Sequence, residues 1–356
     1  MKIIIATGGT GGHIFTGLAI AEQLDNLGVK VLIIGSSSGM ARDIIKNQYP
    51  LRLTSQRPLL GKSPKEKLEF PFFLGISLLQ AIYILMRENP SGVIGTGGFG
   101  SFSLVFIAAF LHIPTIITEI DSIPGLTTKI LSRFAHEVWI AFPNAKHKLA
   151  GKNIMLSGFP VRKKITKVTK TIKDFGLKDN IPTIFIFGGS RGAHRINECF
   201  EKTIDLLPDF QFIWQTGENV GATHELPLPN VYITKFIDDI ENAYGNADLV
   251  ISRAGALTIA ELITVKVPAI LIPFPYATGG HQLLNAKILE KMGAARIILD
   301  KDLSPSLLAR EIRRMIEDKD LLANIRQKMK KFGNPETAKL IANRIVKLCS
   351  RAFVQT

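Results

Sequence analysis

The chain has 356 residues and a net charge of +14, with 30 glycines, 18 prolines and two cysteines. That length supports two α/β cores. The cysteines, Cys199 and Cys349, sit in helical patterns with no metal or redox spacing, which excludes a disulfide framework and points to a cytoplasmic protein. No zinc-ligand set, RNA-reading aromatic signature or helix-turn-helix pattern accompanies the basic balance, so nucleic acid is not an expected partner.

In chain order, Ile3, Ile4 and Ile5 form a continuous apolar run of buried-strand type that begins at once, so no secretory leader is expected. Gly8, Gly9, Gly11 and Gly12 follow, and then Ile14, Leu18, Ala21 and Glu22 keep helical spacing. A strand, glycine turn and helix of this kind lets the backbone approach a ligand and aims helix N–H groups at negative charge. A tight turn with no ligand is the alternative, because open α/β folds need such turns anyway.

The next strand, Lys30 to Gly35, ends in Ser36, Ser37 and Ser38, where a dinucleotide fold calls for an acid. Ile14 also replaces the third glycine or alanine of G-x-G-x-x-G, so NAD binding is disfavoured. Gly61, Lys62 and Ser63 match the end of a phosphate loop, but Gln56 stands where its first glycine belongs and no strand is expected before it.

The uncharged stretch from Phe70 to Met86 is at the short limit for spanning a bilayer, and Pro71 and Gly75 weaken that case further. Two readings stand: a helix buried on all sides, or one that exposes an apolar strip to a membrane surface. Arg57, Lys62, Lys65, Lys67 and Arg87 nearby favour the second, since cations beside an apolar strip suit anionic headgroups. Phe102 to Leu111 reads as a core helix bounded by Pro114. Further strands are expected at Gly92 to Ile94, Ile113 to Thr118, Glu137 to Ile140 and Asn153 to Leu156.

Between Ala145 and Lys173 stand nine lysines and arginines and no acid, which suits an anionic partner, a lipid surface or a pyrophosphate; a merely solvated basic face is the alternative. Beyond this linker the opening plan repeats at 183–200, with Gly188, Gly189 and Gly192 between a strand and a helix. Strands are expected at 183–187, 210–214, 231–233, 248–251, 268–272 and 295–299, and closing helices at Pro305 to Asp318, Leu321 to Phe332 and Pro335 to Cys349. Glu261 lies on a helix behind the turn Arg253, Ala254 and Gly255, where its carboxylate can accept both hydroxyls of a ribose; an ordinary helix charge is the alternative. His281, Gln282 and Asn285 open another helix at the same crest. Two D-x-D spellings, Asp300 to Asp302 and Asp318 to Asp320, read as surface features among alternating charges.

GGTGGH at 8–13, GGSRGAHRIN at 188–197, FIDD at 236–239, SRAGALTIAEL at 252–262 and HQLLNA at 281–286 resemble the MurG family in order and spacing over nearly the whole chain. The resemblance implies an α/β fold of GT-B architecture, with two Rossmann-like domains facing a cleft. It divides the chain into 1–163, for acceptor and membrane, and 164–335, for the donor, with a last helix at about 336–356 packing back on the first. It implies inverting transfer of N-acetylglucosamine from UDP-GlcNAc to the muramyl 4-hydroxyl of lipid I, forming lipid II without metal or cofactor. The site would be the cytoplasmic face of the inner membrane. The implied partners are the nucleotide sugar, lipid I, an anionic membrane surface and other cell-wall enzymes.

Carried over by position, Ser190 and the Gly188 to Ala193 turn hold the donor pyrophosphate, the Ile237 backbone reads the uracil and Glu261 takes the ribose. Arg253, Gln282 and Asn285 line the nucleotide and sugar, and Thr10, Gly11, Gly12 and Arg162 count with the donor contacts. Gly8, Gly9, Gly97, Gly98 and Asp121 belong to the acceptor side. His13 is the general-base candidate, with Glu119 as its catalytic companion; a structural histidine at a helix start is the alternative. Fixed N–H dipoles and arginine would stabilise the leaving pyrophosphate.

The departures fall mainly on the acceptor side. Thr118, Glu119, Ile120 and Asp121 replace the family's HEQN, GTGGFGSFS at 95–103 only partly matches GGYVSGP, and Phe159 replaces the Asn of GNPVR. On the donor side Gly280 replaces the acid before HQ. They keep two rivals open: another GT-B enzyme, either a glycolipid glycosyltransferase or a UDP-sugar epimerase, and a non-catalytic nucleotide-sugar-binding scaffold.

Overall fold

The computed structural model describes residues 1–59, 63–151, 153–168, 175–189, 192–217, 230–330 and 334–354. The chain divides into two compact units, Met1–Lys163 with Asn334–Thr356, and Lys164–Gly333. Each is built on one parallel sheet.

The first sheet comprises β1 (Lys2–Ala6), β2 (Lys30–Ser36), β3 (Leu51–Thr54), β4 (Gly92–Gly95), β5 (Thr115–Glu119), β6 (Glu137–Ile140) and β7 (Ile154–Leu156), in the order β3-β2-β1-β4-β5-β6-β7. Alternate residues of its central strands feed opposite faces, as strand geometry requires. Ile3, Ile5 and Ile33 pack with the helix Gly11–Asn26 and the last helix, whereas Ile4, Ala6 and Ile34 pack with Ala81, Leu85, Leu104 and Ala108. Burial on both faces is why these strands read as unbroken apolar runs. The order reverses between β1 and β4, so the turns leaving those two strands flank the place where open α/β sheets take ligands.

Two elements differ from expectation. β3 was not foreseen, because a four-residue edge strand carrying an outward Arg52 has no apolar run; Arg52 instead pairs with Glu88. The apolar helix spans Pro64–Glu88 and starts before Phe70, at a capping box in which Ser63 and Glu66 satisfy each other's backbone N–H groups.

The last helix, Thr337–Val354, runs beyond the expected Cys349 and is anchored in the first unit. Thr337 Oγ1 donates to the Ser157 carbonyl at 2.7 Å, and Arg344 Nε donates to Glu137 Oε1 at 2.8 Å. Ile341, Ala342 and Ile345 complete the core against the first helix.

The second sheet comprises β8 (Thr183–Phe187), β9 (Gln211–Gln215), β10 (Val231–Thr234), β11 (Leu249–Ser252), β12 (Ala269–Leu271) and β13 (Ala295–Ile297), in the order β10-β9-β8-β11-β12-β13. Its reversal lies between β8 and β11, beside the second glycine turn. Its core is aromatic, with Phe185, Phe200, Phe212, Trp214 and Tyr244 fully buried. β13 stops short of Leu299, which leads into the turn Asp300–Asp302.

Candidate functional site

At the first reversal, the turn after β1 and the turn after β4 enclose one side chain, His13. Its Nδ1 lies 2.7 Å from the Thr96 carbonyl, and Thr96 Oγ1 donates back to the His13 carbonyl at 2.9 Å. A carbonyl only accepts, so Nδ1 carries the ring proton and Nε2 is the basic nitrogen of the neutral ring.

Glycines leave the space the imidazole fills. A Cβ on Gly8 would stand 2.6 Å from His13 Cδ2, and one on Gly98 would stand 2.8 Å from it. Gly97 and Gly98 also hold φ of +83° and +71°, where a side chain is strained. Gly9 is filled on its open side by the Phe99 ring, and its carbonyl accepts from Met40 N–H at 3.2 Å. Thr10 is the exposed residue capping the first helix, with Gly11 and Gly12 half-buried behind it. Arg162 reaches this end of the helix by stacking its guanidinium 4.6 Å above the Phe15 ring.

Glu119 ends β5, and Asp121 lies on the turn that follows it. The Thr118 carbonyl adjoins Gly97, and Gly97 in turn abuts the imidazole. Glu119 is buried, and its two oxygens accept the backbone N–H groups of Asp121 at 3.0 Å and Gly125 at 3.1 Å. Burial pushes its carboxyl up to about 7, the negative charge of Asp121 adds to the rise, and the two N–H groups oppose it. The carboxylate therefore shapes the 120–125 segment.

In the second unit, Ser190 lies outside the described residues. Of its described neighbours, Gly192 donates its N–H to the Gly189 carbonyl at 3.0 Å and, at φ +75°, is pressed against the Thr216 carbonyl. Gln215 bridges two assigned positions: Nε2 donates to the Gly189 carbonyl at 3.5 Å, and Oε1 accepts the Ile237 N–H at 3.0 Å. A uracil read by this N–H would have to displace Gln215.

Glu261 sits in the second turn of the helix Ala256–Val265, buried, with the Tyr244 hydroxyl donating to Oε2 at 3.0 Å. Asn285 is fully buried and donates to the Ala254 carbonyl at 3.4 Å, while Gln282 Oε1 accepts the Phe274 N–H at 2.9 Å. Arg253 donates to the Ile272 and Pro273 carbonyls and pairs with Asp300. Asp300 is thus no surface feature, which corrects the expectation for the first D-x-D: the carboxylate balances an arginine at the crest. Thr96, Gln215 and Tyr244 had no local signal, and the D-x-D spelling at Asp300 did not reveal its arginine, because each acts through a partner distant in sequence.

The helix Pro64–Glu88 is apolar on its outer face. Phe72, Leu79 and Met86 are 69, 69 and 76% exposed, and with Leu68, Ile82 and Tyr83 they fall within an arc of about 100° at 3.6 residues per turn. Its inner face carries polar bonds, with Ser77 Oγ 2.7 Å from Ser103 Oγ and Gln80 Oε1 accepting Ser55 N–H at 2.8 Å. Arg57 stacks 3.5 Å above Phe73 beside this face. Lys62 lies outside the described residues, as do the side chains of Lys65 and Lys67. The core-helix expectation for 102–111 holds for Leu104, Val105 and Ala108, but Phe110 and Leu111 are exposed.

Residues 3–140 match the glycosyltransferase family 28 N-terminal domain and residues 183–345 the C-terminal domain of the same family. A UDP-N-acetylglucosamine–N-acetylmuramyl-(pentapeptide) pyrophosphoryl-undecaprenol N-acetylglucosamine transferase from Myxococcus xanthus is 36% identical, over 100% of this chain and 94% of the relative. The transferase of that name from Thermodesulfovibrio yellowstonii is 37% identical, over 94% of this chain and 95% of its own length. Among solved structures, MurG of Acinetobacter baumannii superposes with a TM-score of 0.75 at 29% identity, covering 97% of this chain and 99% of that one. Two Rossmann-like units with both family domains in order, and relatives matched from end to end, make this chain a member of glycosyltransferase family 28 and, within it, of the MurG family.

Proposed function

We infer that this chain transfers N-acetylglucosamine from UDP-N-acetylglucosamine to the muramyl 4-hydroxyl of undecaprenyl-pyrophosphoryl-N-acetylmuramyl pentapeptide, lipid I, forming lipid II. The observation that carries the chemistry is the Thr96 carbonyl bond that fixes the tautomer of His13 inside its glycine cage. Nε2 of His13 takes the proton of the 4-hydroxyl. The oxygen then bonds to the anomeric carbon from the face opposite the nucleotide, the bond to the β-phosphate breaks, and UDP leaves with the electron pair.

The turn at Gly188 to Ala193, with Ser190, supplies N–H groups for the charge that builds on the pyrophosphate. Glu261, oriented by Tyr244, takes the ribose, and Gln282 and Asn285 shape the crest around the sugar. Thr10, Gly11, Gly12 and Arg162 are assigned to the donor on the family resemblance. Glu119 holds the acceptor-side segment containing Asp121, with Gly8, Gly9, Gly97 and Gly98 beside it. Similarity to transferases over the full chain favours this activity over the epimerase and scaffold readings.

The apolar strip on the helix Pro64–Glu88 docks on an anionic membrane surface, where the polyprenyl acceptor resides. Peripheral attachment at the cytoplasmic face, in company with other cell-wall enzymes, follows from that reading. Vesicle flotation tests it: binding should rise with anionic lipid and fall for Leu79→Glu, and indifference to both would overturn it.

The decisive assay supplies UDP-N-acetylglucosamine and lipid I to the purified chain and follows lipid II. His13→Ala should lower turnover by about 10²- to 10⁴-fold while calorimetric UDP affinity stays unchanged. Absence of lipid II from the unaltered chain, or epimerised nucleotide sugar in its place, would refute the assignment.

A further inference from the structure

We propose that Asp300 is a positioning residue for the donor: it holds Arg253 so that the arginine clamps the loop leaving β12, which presents Gln282. The proposal rests on the donor reading of the second unit. Three strand ends meet here. Arg253 follows β11, Ile272 and Pro273 follow β12, and Asp300 opens the turn after β13.

The Arg253 Nη1 group donates to the Ile272 carbonyl at 3.1 Å, to the Pro273 carbonyl at 3.4 Å and to Asp300 Oδ1. The next residue, Phe274, packs its ring 5.5 Å from the guanidinium and gives its backbone N–H to Gln282 Oε1 at 2.9 Å. Asp300 therefore reaches Gln282 through Arg253 and the 272–274 backbone.

The pair is largely dehydrated, with side chains 12 and 20% exposed for Arg253 and Asp300. Two carbonyls offer partial negative charge, and the carboxylate supplies the full counter-charge. Removing it leaves a guanidinium short of compensation in a dry site, which drives the arginine toward water and releases the backbone it clamps. Asp302, its companion in the D-K-D spelling, is exposed and belongs to the same turn. It is an internal control.

Calorimetry with UDP-N-acetylglucosamine on the full chain tests the proposal. Asp300→Asn, nearly isosteric and uncharged, should raise Kd about tenfold or more and leave the KM for lipid I unchanged, while Asp302→Asn binds like the unaltered chain. Arg253→Met combined with Asp300→Asn should bind no worse than Arg253→Met alone, because the aspartate acts only through the arginine. Unchanged Kd in Asp300→Asn overturns the proposal even if thermal stability falls, and so do additive losses in the double variant. If the unaltered chain takes up no nucleotide sugar, the donor reading fails and the proposal with it; binding that survives Asp300→Asn defeats the proposal alone.

Discussion

The two glycine turns share one pattern, strand, glycines and helix, and differ in what occupies the room their missing side chains leave. In the first unit the occupants are rings: His13 lies against Gly8, Gly97 and Gly98, and Phe99 lies against Gly9. In the second, Gly188 and Gly192 are closed by backbone atoms of Ala193 and Thr216, while no described atom comes within 4 Å of a Cβ built on Gly189. Glycine thus makes room for an imidazole in one turn and leaves the main chain bare at Gly189 in the other, which the proposed mechanism uses for proton transfer and for the donor pyrophosphate. A repeated motif identifies two crests, and the neighbours decide the chemistry of each.

The sharpest way to break that contrast is Gly98→Ala. Its Cβ would meet His13 Cδ2 at 2.8 Å and the Gly8 Cα at 2.9 Å, and the backbone atom cannot yield cheaply. Displacing the imidazole should cut kcat by about 100-fold in the lipid II assay, with UDP affinity preserved.

Of similar size is the pH response of Glu119, a buried carboxyl beside the first crest. Its carboxyl ordinarily titrates at 4.5 and in the fold is raised to about 7, so the native state holds the proton more tightly. Stability should therefore fall as pH rises between these values, by on the order of 3 kcal/mol in total. Denaturant melts from pH 4 to pH 8 should show that slope, and Glu119→Gln should flatten it.

A smaller effect is expected from Gly189→Ala, which meets no steric obstacle among the described residues but must place an alanine at φ +93°. Stability should drop by about 1–2 kcal/mol in a urea titration, and UDP-N-acetylglucosamine should bind a few-fold more weakly. Smallest is Tyr244→Phe, which deletes the hydroxyl that orients Glu261. The loss of about 1 kcal/mol should appear as a roughly fivefold higher KM for the donor.

The sequence carries most of the architecture because buried parallel strands are written locally, as Ile3 to Ile5 and Thr183 to Phe187 show. Both glycine turns were visible as well, and the structure places each beside a reversal of strand order. β3 escaped notice because LRLT is short and carries a charge that a distant Glu88 neutralises. The start of the apolar helix was written as S-P-K-E at 63–66, a capping signature overshadowed by the uncharged run behind it. Candidate site residues could be named where a motif carries them, as with His13 and Glu261. Their supports could not: Thr96 is 83 positions from His13, and Asp300 is 47 from Arg253. Such pairings depend on which strand ends become neighbours, and no local periodicity encodes that.

The helix Pro64–Glu88 is apolar on two sides, since Ala81, Ile84 and Leu85 join the core and Ser77 and Gln80 add hydrogen bonds to it, while Phe72, Leu79 and Met86 face outward. Those bonds persist whatever solvent bathes the outer face, so moving that face from water into lipid removes apolar surface from water without detaching the helix. On the proposed membrane reading, adsorption would leave the fold intact, and the width of a single helical stripe would limit the depth of insertion.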